Sequence, residues 1–222
     1  MERFIEKYRS SDYALYYRTR MGCAGVLNSM GLEGFSYALV DDVGLVTDLM
    51  EIYAEWAIEL LDKTHNIGFD FVWFSDDIAF KSGPMFSPEA FRAIFLPAMD
   101  NIRKHVRLPW VYHSDGNLMP VLDDLLSLGM NGLNPIEPGA MDIEEMKKKY
   151  GHKICLIGNI DLHYTLTQGT QAEVEKEVKE RIEKIGKDGA YIIASSNSIT
   201  DYCRLENVLA FRDAVIRYRD YN

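Results

Sequence analysis

Three cysteines in 222 residues, Cys23, Cys155 and Cys203, are too few and too far apart for a disulfide framework, and no Cys-x-x-Cys pair offers a thiolate knuckle. A reducing, cytoplasmic setting follows. Basic charge is scarce as well: 24 lysines and arginines face 34 aspartates and glutamates, the formal net charge is -10, and no Lys/Arg block appears that could track phosphates. Tracking phosphates requires clustered cations, so nucleic acid is not expected as a partner. Long apolar runs are missing too. None approaches the ~18 residues of a membrane span, and the opening Met-Glu-Arg-Phe-Ile-Glu-Lys lacks the form of a signal peptide, so the reading is of a soluble protein with no membrane partner. Linkers and low-complexity segments are also absent. With 47% apolar side chains the chain can bury one substantial core, and a single domain over residues 1–222 is expected.

What is present is an alternation of short apolar runs and helical patterns. Apolar, β-prone runs lie at Tyr13–Tyr17, Phe69–Phe74, Trp110–Tyr112, Asn131–Pro135, Ile154–Ile157 and Tyr191–Ala194. Between them, Met21 to Gly34 is rich in glycine and reads as a loop. Asp41 or Asp42 caps a helix to about Lys63, with Leu45, Leu49, Ile52, Trp56 and Leu60 as its buried face. Ser87-Pro88-Glu89 starts a helix to about His105, Leu118–Leu128 forms another, and Asp142 with Glu145 has capping-box-like spacing. Thr170 with Glu173 repeats that spacing for a helix to Lys184, and Arg204–Arg219 closes the chain. Six strands, most followed by a helix, describe an α/β fold with a parallel sheet.

Several runs turn polar where they end, and the sharpest switch is at Trp110-Val111-Tyr112-His113-Ser114-Asp115-Gly116-Asn117. If the strand persists to Asp115, His113 and Asp115 at i and i+2 project to one side, at the edge where parallel α/β folds carry their chemistry. An imidazole and a carboxylate there are either a site or a hydrogen-bonded structural pair. The same switch occurs at Ser75-Asp76-Asp77, before Glu137, at Gly158-Asn159-Ile160-Asp161 and at Ser195-Ser196-Asn197-Ser198.

In this order, four segments resemble the uroporphyrinogen decarboxylase superfamily, which includes cobalamin-dependent methyltransferases. They are Gly83–Phe91 with Leu96-Pro97, then His113–Asn117, then Gly158–Asp161, and finally Tyr191-Ile192 with Leu205–Val208. The resemblance implies a TIM-barrel-like (β/α)8 fold of which this chain supplies six strands, the equivalent of the first two βα units being missing. Uncovered strand edges near Tyr13 and Tyr191 then imply a homo-oligomer, or else an N-terminal segment folded over the gap.

His113-Ser114-Asp115 stands where the methyltransferases carry a His-x-Cys zinc motif. Asn197 stands where decarboxylases have His and zinc methyltransferases Cys, which disfavours porphyrinogen decarboxylation. The implied activity is removal of a methyl group from a small methoxy or methylamine-type compound and its transfer to a corrinoid protein. His113 and Asp115 would be the catalytic pair and, with Glu137, the zinc ligands; Asp77, Asn159, Asp161 and Asn197 would contact substrate. Each of these four has a structural alternative: Asp77 as a loop cap, Asn159 and Asp161 as turn formers, Asn197 as a partner of backbone groups. The rival functional class is a non-catalytic relative that binds a small molecule or a partner subunit.

Overall fold

A computed structural model describes residues 1–220, and in it the chain forms two compact units, Met1–Asn131 and a second beginning at Gly132. The first unit contains α1 (Glu2–Tyr8), β1 (Tyr16–Thr19), α2 (Cys23–Asp41), α3 (Val43–Thr64) and β2 (Phe71–Ser75). A small hairpin of β3 (Ala79–Phe80) and β4 (Gly83–Pro84) follows, then α4 (Pro88–Ala90), a π turn, α5 (Leu96–Arg103), β5 (Trp110–His113), a 3-10 turn and α6 (Leu122–Ser127). The second unit contains β6 (Gly132–Asn134), α7 (Ile143–Tyr150), β7 (Cys155–Ile160), α8 (Gln171–Arg181) with a π turn, β8 (Tyr191–Ser195) and α9 (Leu205–Tyr218).

Both units are built the same way. β1 pairs parallel with β2 and β2 with β5; β6 pairs parallel with β7 and β7 with β8. The six expected parallel strands are therefore there, three per unit and in chain order. Most predicted caps hold as well. The Ser87 hydroxyl accepts from Ala90 N–H, Asp142 accepts from Glu144 and Glu145 N–H, and Thr170 and Glu173 form a complete capping box. In the second unit, Ile160, Leu162 and Leu166 pack with Val174, Val178 and Ile182 against Ala214 and Phe211 of α9. Each such buried side chain contributes roughly 1.5–3 kcal/mol.

Two expectations fail in the first unit. The glycine-rich stretch after β1 is helix α2, not a loop. Gly25 serves a close approach, since a Cβ there would lie 2.5 Å from the Tyr53 ring of α3, and Gly31 (φ 72°, ψ 156°) breaks the helix locally. On α3 the buried face is Val46, Met50, Ala54, Ala57 and Leu61, one residue beyond the expected stripe. Leu45, Ile52 and Trp56 are 41%, 61% and 50% exposed. This helix carries two apolar stripes about 100° apart, and periodicity alone does not say which one meets the core. No helix of the described residues is long and apolar enough to cross a membrane.

Candidate metal centre beyond the strand ending at His113

β2 delivers two consecutive aspartates with opposite surroundings. Asp76 is fully buried: its carboxylate accepts from Met21 N–H (2.8 Å) and Ala24 N–H (2.9 Å), capping the first turn of α2. Burial pushes its carboxyl up to about 7, although the two N–H groups and the charge of Arg20 pull the other way. Its backbone N–H donates to the His113 carbonyl (2.9 Å), and its carbonyl accepts from the buried Tyr112 hydroxyl (3.3 Å). These bonds lock the end of β2 to the end of β5.

Asp77 points the other way. Its Oδ1 lies 3.6 Å from His113 Nε2 and accepts from Asp115 N–H at 3.1 Å, with 54% of its side chain exposed against 10% for His113. One ligand atom each from Asp77, His113 and Asp115 lies within 4.8 Å of the other two. β5 ends at His113, so strand alternation does not align Asp115 with it. The loop does so instead. Ser114 is buried, accepts from Ile78 N–H (3.0 Å) and donates to the Asp115 carbonyl (2.9 Å), while Asn117 N–H donates to Phe80 O (2.8 Å). Gly116 (φ +87°) sits against the β3–β4 hairpin so closely that a Cβ would come within 2.6 Å of the Ala79 and Phe80 backbone.

The donor set fits a divalent cation. Two carboxylates and an imidazole are oxygen and nitrogen ligands of the kind zinc takes in open catalytic sites, and the spacing lets all three reach one ion. The companion of His113 and Asp115 in this group is Asp77, where the sequence pointed to Glu137. Glu137 follows β6 in the second unit, where its carbonyl accepts from Ala140 and Met141 N–H. The other expected substrate contacts are engaged locally. Asn159 is buried and donates to Ile136 O (2.8 Å); Asp161 accepts from His163 and Tyr164 N–H (3.0 and 2.9 Å); the Asn197 side chain accepts from Ser198 N–H (2.6 Å). The sequence pattern did not single out Asp76, whose role depends on the Met21 and Ala24 amides that meet it at the start of α2.

The model of the uroporphyrinogen decarboxylase (URO-D) family matches residues 24–218, and the chain belongs to that family. Two curated relatives, each named methylcobamide:CoM methyltransferase MtaA, come from Methanosarcina barkeri and from its strain Fusaro. Each is 26% identical over 181 residues, covering 82% of this chain. The chain spans about half the length of these relatives, 51% in each case. Among solved structures, a methyltransferase from Methanosarcina mazei superposes with a TM-score of 0.81 at 22% identity, over 99% of this chain and 63% of the other. That likeness establishes the fold as the TIM-barrel-like α/β fold of this family.

Proposed function

We propose that the protein is a methyltransferase of this family that takes a methyl group from a small methoxy or methylamine-type compound and passes it to a corrinoid protein, assisted by zinc. The observation that carries the reading is the convergence of Asp77, His113 and Asp115 within 4.8 Å. The similarity to two methylcobamide:CoM methyltransferases supports the group transferred and the corrinoid partner. In such a transfer the bond from the methyl carbon to its heteroatom breaks, the heteroatom keeps the electron pair, and a proton or a cation must meet the developing charge. Zinc held by Asp77, His113 and Asp115 would supply a Lewis acid there.

The chain's own residues do the positioning. Ser114 and the Asp76 backbone hold the His113–Asp115 loop, and the exposed Asp77 leaves the group reachable from solvent. Carboxylates in place of thiolates make the donor set harder, which favours an oxygen-bearing methyl donor over a thiol. Asn159, Asp161 and Asn197 are framework residues in this proposal, and self-association of the chain remains part of it. The test is methyl transfer from methoxybenzene and from trimethylamine to cob(I)alamin, followed by loss of the cob(I)alamin absorbance. Turnover that disappears in His113→Ala supports the proposal. No turnover with either donor, or turnover unchanged in that variant, sinks it and leaves the non-catalytic reading.

A further inference from the structure

Leu45, Leu49, Ile52, Trp56 and Leu60 form an apolar stripe on α3 that the core leaves uncovered. The core takes the neighbouring face, which runs from Val46 to Leu61. Leu45, Ile52 and Trp56 are 41%, 61% and 50% exposed, and Leu49 and Leu60 are half-buried. Apolar side chains scattered singly over a surface need no explanation, but an unbroken row along one helix does. Steps of four, three, four and four residues hold the row on one side of α3 for about 22 Å. That is the spacing of a seam against which a second helix packs.

The charge around the stripe has one sign. Between Arg20 and Lys63, a span that contains α2 and nearly all of α3, the chain holds eight carboxylates and no lysine, arginine or histidine. Asp48, Glu55 and Glu59 follow one another along one flank of the stripe, and all three are exposed. Glu59 meets Lys63, and among the described residues no cation pairs with Asp48 or Glu55. A second copy laid on the stripe would set acid against acid, and an anionic lipid surface would be repelled by the same charge. A helix whose own apolar row is flanked by lysines or arginines meets both features: its row covers the stripe, and its cations answer the carboxylates.

We infer that α3 docks a basic amphipathic helix of a partner protein along Leu45–Leu60. The inference stands independently of the methyl-transfer proposal. Two synthetic helical peptides of three heptads test it, both with leucine at the a and d positions, one with lysine and the other with glutamate at the flanking e and g positions. Each is labelled with fluorescein and titrated with the whole chain by fluorescence anisotropy, in low and in high salt. The lysine peptide should bind at least about tenfold tighter than the glutamate peptide and should weaken as salt rises. Unlabelled lysine peptide should shift tryptophan emission to the blue as the Trp56 indole leaves water, and Trp56→Phe should remove most of that shift.

Ile52→Glu separates docking on the stripe from mere attraction of charge. It adds one more negative group, so a purely electrostatic association would tighten, whereas docking on the stripe should weaken at least about tenfold. Ile52 is 61% exposed, and circular dichroism checks that the variant keeps the fold. Equal binding of the two peptides by the wild type overturns the inference, as does no binding of the lysine peptide at about 100 μM, and that comparison decides even if the variant fails to fold. Lysine-peptide binding that is unchanged or tighter in Ile52→Glu also overturns it. So does a wild-type dimer in sedimentation that Ile52→Glu dissociates, which would give the stripe to a second copy of the chain.

Discussion

Replacing Gly116 by alanine should disrupt the candidate centre without touching any of its ligands. Gly116 has φ +87°, a conformation that costs an L-residue about 1–2 kcal/mol. The added Cβ would stand 2.6 Å from the carbonyl carbon and oxygen of Ala79 and from Phe80 O. Those are backbone atoms, so no rotamer change relieves the overlap. Asn117 N–H is bonded to the same Phe80 carbonyl (2.8 Å), so the hairpin and the loop must move apart together, at about 1–3 kcal/mol for a forced backbone shift.

The sum is roughly 2–5 kcal/mol, or a fall in Tm of roughly 4–20 °C at about 2–4 °C per kcal/mol for a chain of this size. Gly139→Ala is the internal control. Gly139 has φ +80°, and an alanine Cβ there would meet nothing within 4 Å, so this variant should lose only the conformational part, about 1–2 kcal/mol. Thermal and urea unfolding of the two variants measure the difference. A Gly116→Ala variant no less stable than Gly139→Ala would refute the claim that close contact with the hairpin positions the His113–Asp115 loop.

Asp76 gives a pH signature in chelator-treated protein. Its folded carboxyl lies at about 7 against an ordinary 3.8, so between those values the folded protein holds a proton that the unfolded chain has lost, and stability falls as pH rises. The loss from about pH 4 to pH 7 is of order 3–4 kcal/mol, and Asp76→Asn should flatten that part of the urea-unfolding profile; identical slopes in both proteins would contradict the assignment. Thr170→Ala removes the capping box of α8 and should cost about 1 kcal/mol by the same measurement, with no change in ligand binding. Asn207→Ala should cost about 1–3 kcal/mol, because the buried amide donates to the carbonyls of Thr165, Leu166 and Gly169 (3.2, 3.4 and 2.8 Å) and nothing replaces it; a loss under about 0.5 kcal/mol would show that solvent serves those carbonyls equally well.

The parts of this fold that rest on local chemistry were legible in the sequence. Trp110–Tyr112, Ile154–Ile157 and Tyr191–Ala194 mark real strands, because a continuous apolar run flanked by polar residues has few other uses. Ser87, Asp142 and Thr170 mark real helix starts, because their side chains answer the unpaired N–H groups of the first turn. What was hidden depended on packing. Gly25 and Gly31 look like a loop until the Tyr53 ring comes to rest on Gly25, and the choice between the two apolar stripes of α3 lies in its neighbours rather than in its own period.

The site followed the same rule. His113 and Asp115 could be picked out from one short segment. That Asp77 joins them was hidden, since it depends on parallel pairing of β2 with β5, which sets Ser75 across from His113 and carries Asp77 past it. The separate roles of Asp76 and Asp77 likewise appear only when the Met21 and Ala24 amides, at the approach to α2 and in its first turn, meet one carboxylate and leave the other to the imidazole.

The most direct test of the account is zinc binding by the freshly purified protein, measured by metal analysis and by titration against a competing chelator. The account predicts a single zinc ion per chain, loss of that ion in His113→Ala with the circular dichroism unchanged, and affinity lowered at least about tenfold in Asp77→Asn. Glu137→Gln should bind as the wild type does. Wild-type protein that stays metal-free under excess zinc, or that loses its metal in Glu137→Gln and keeps it in Asp77→Asn, would contradict the assignment of Asp77, His113 and Asp115 as the metal centre.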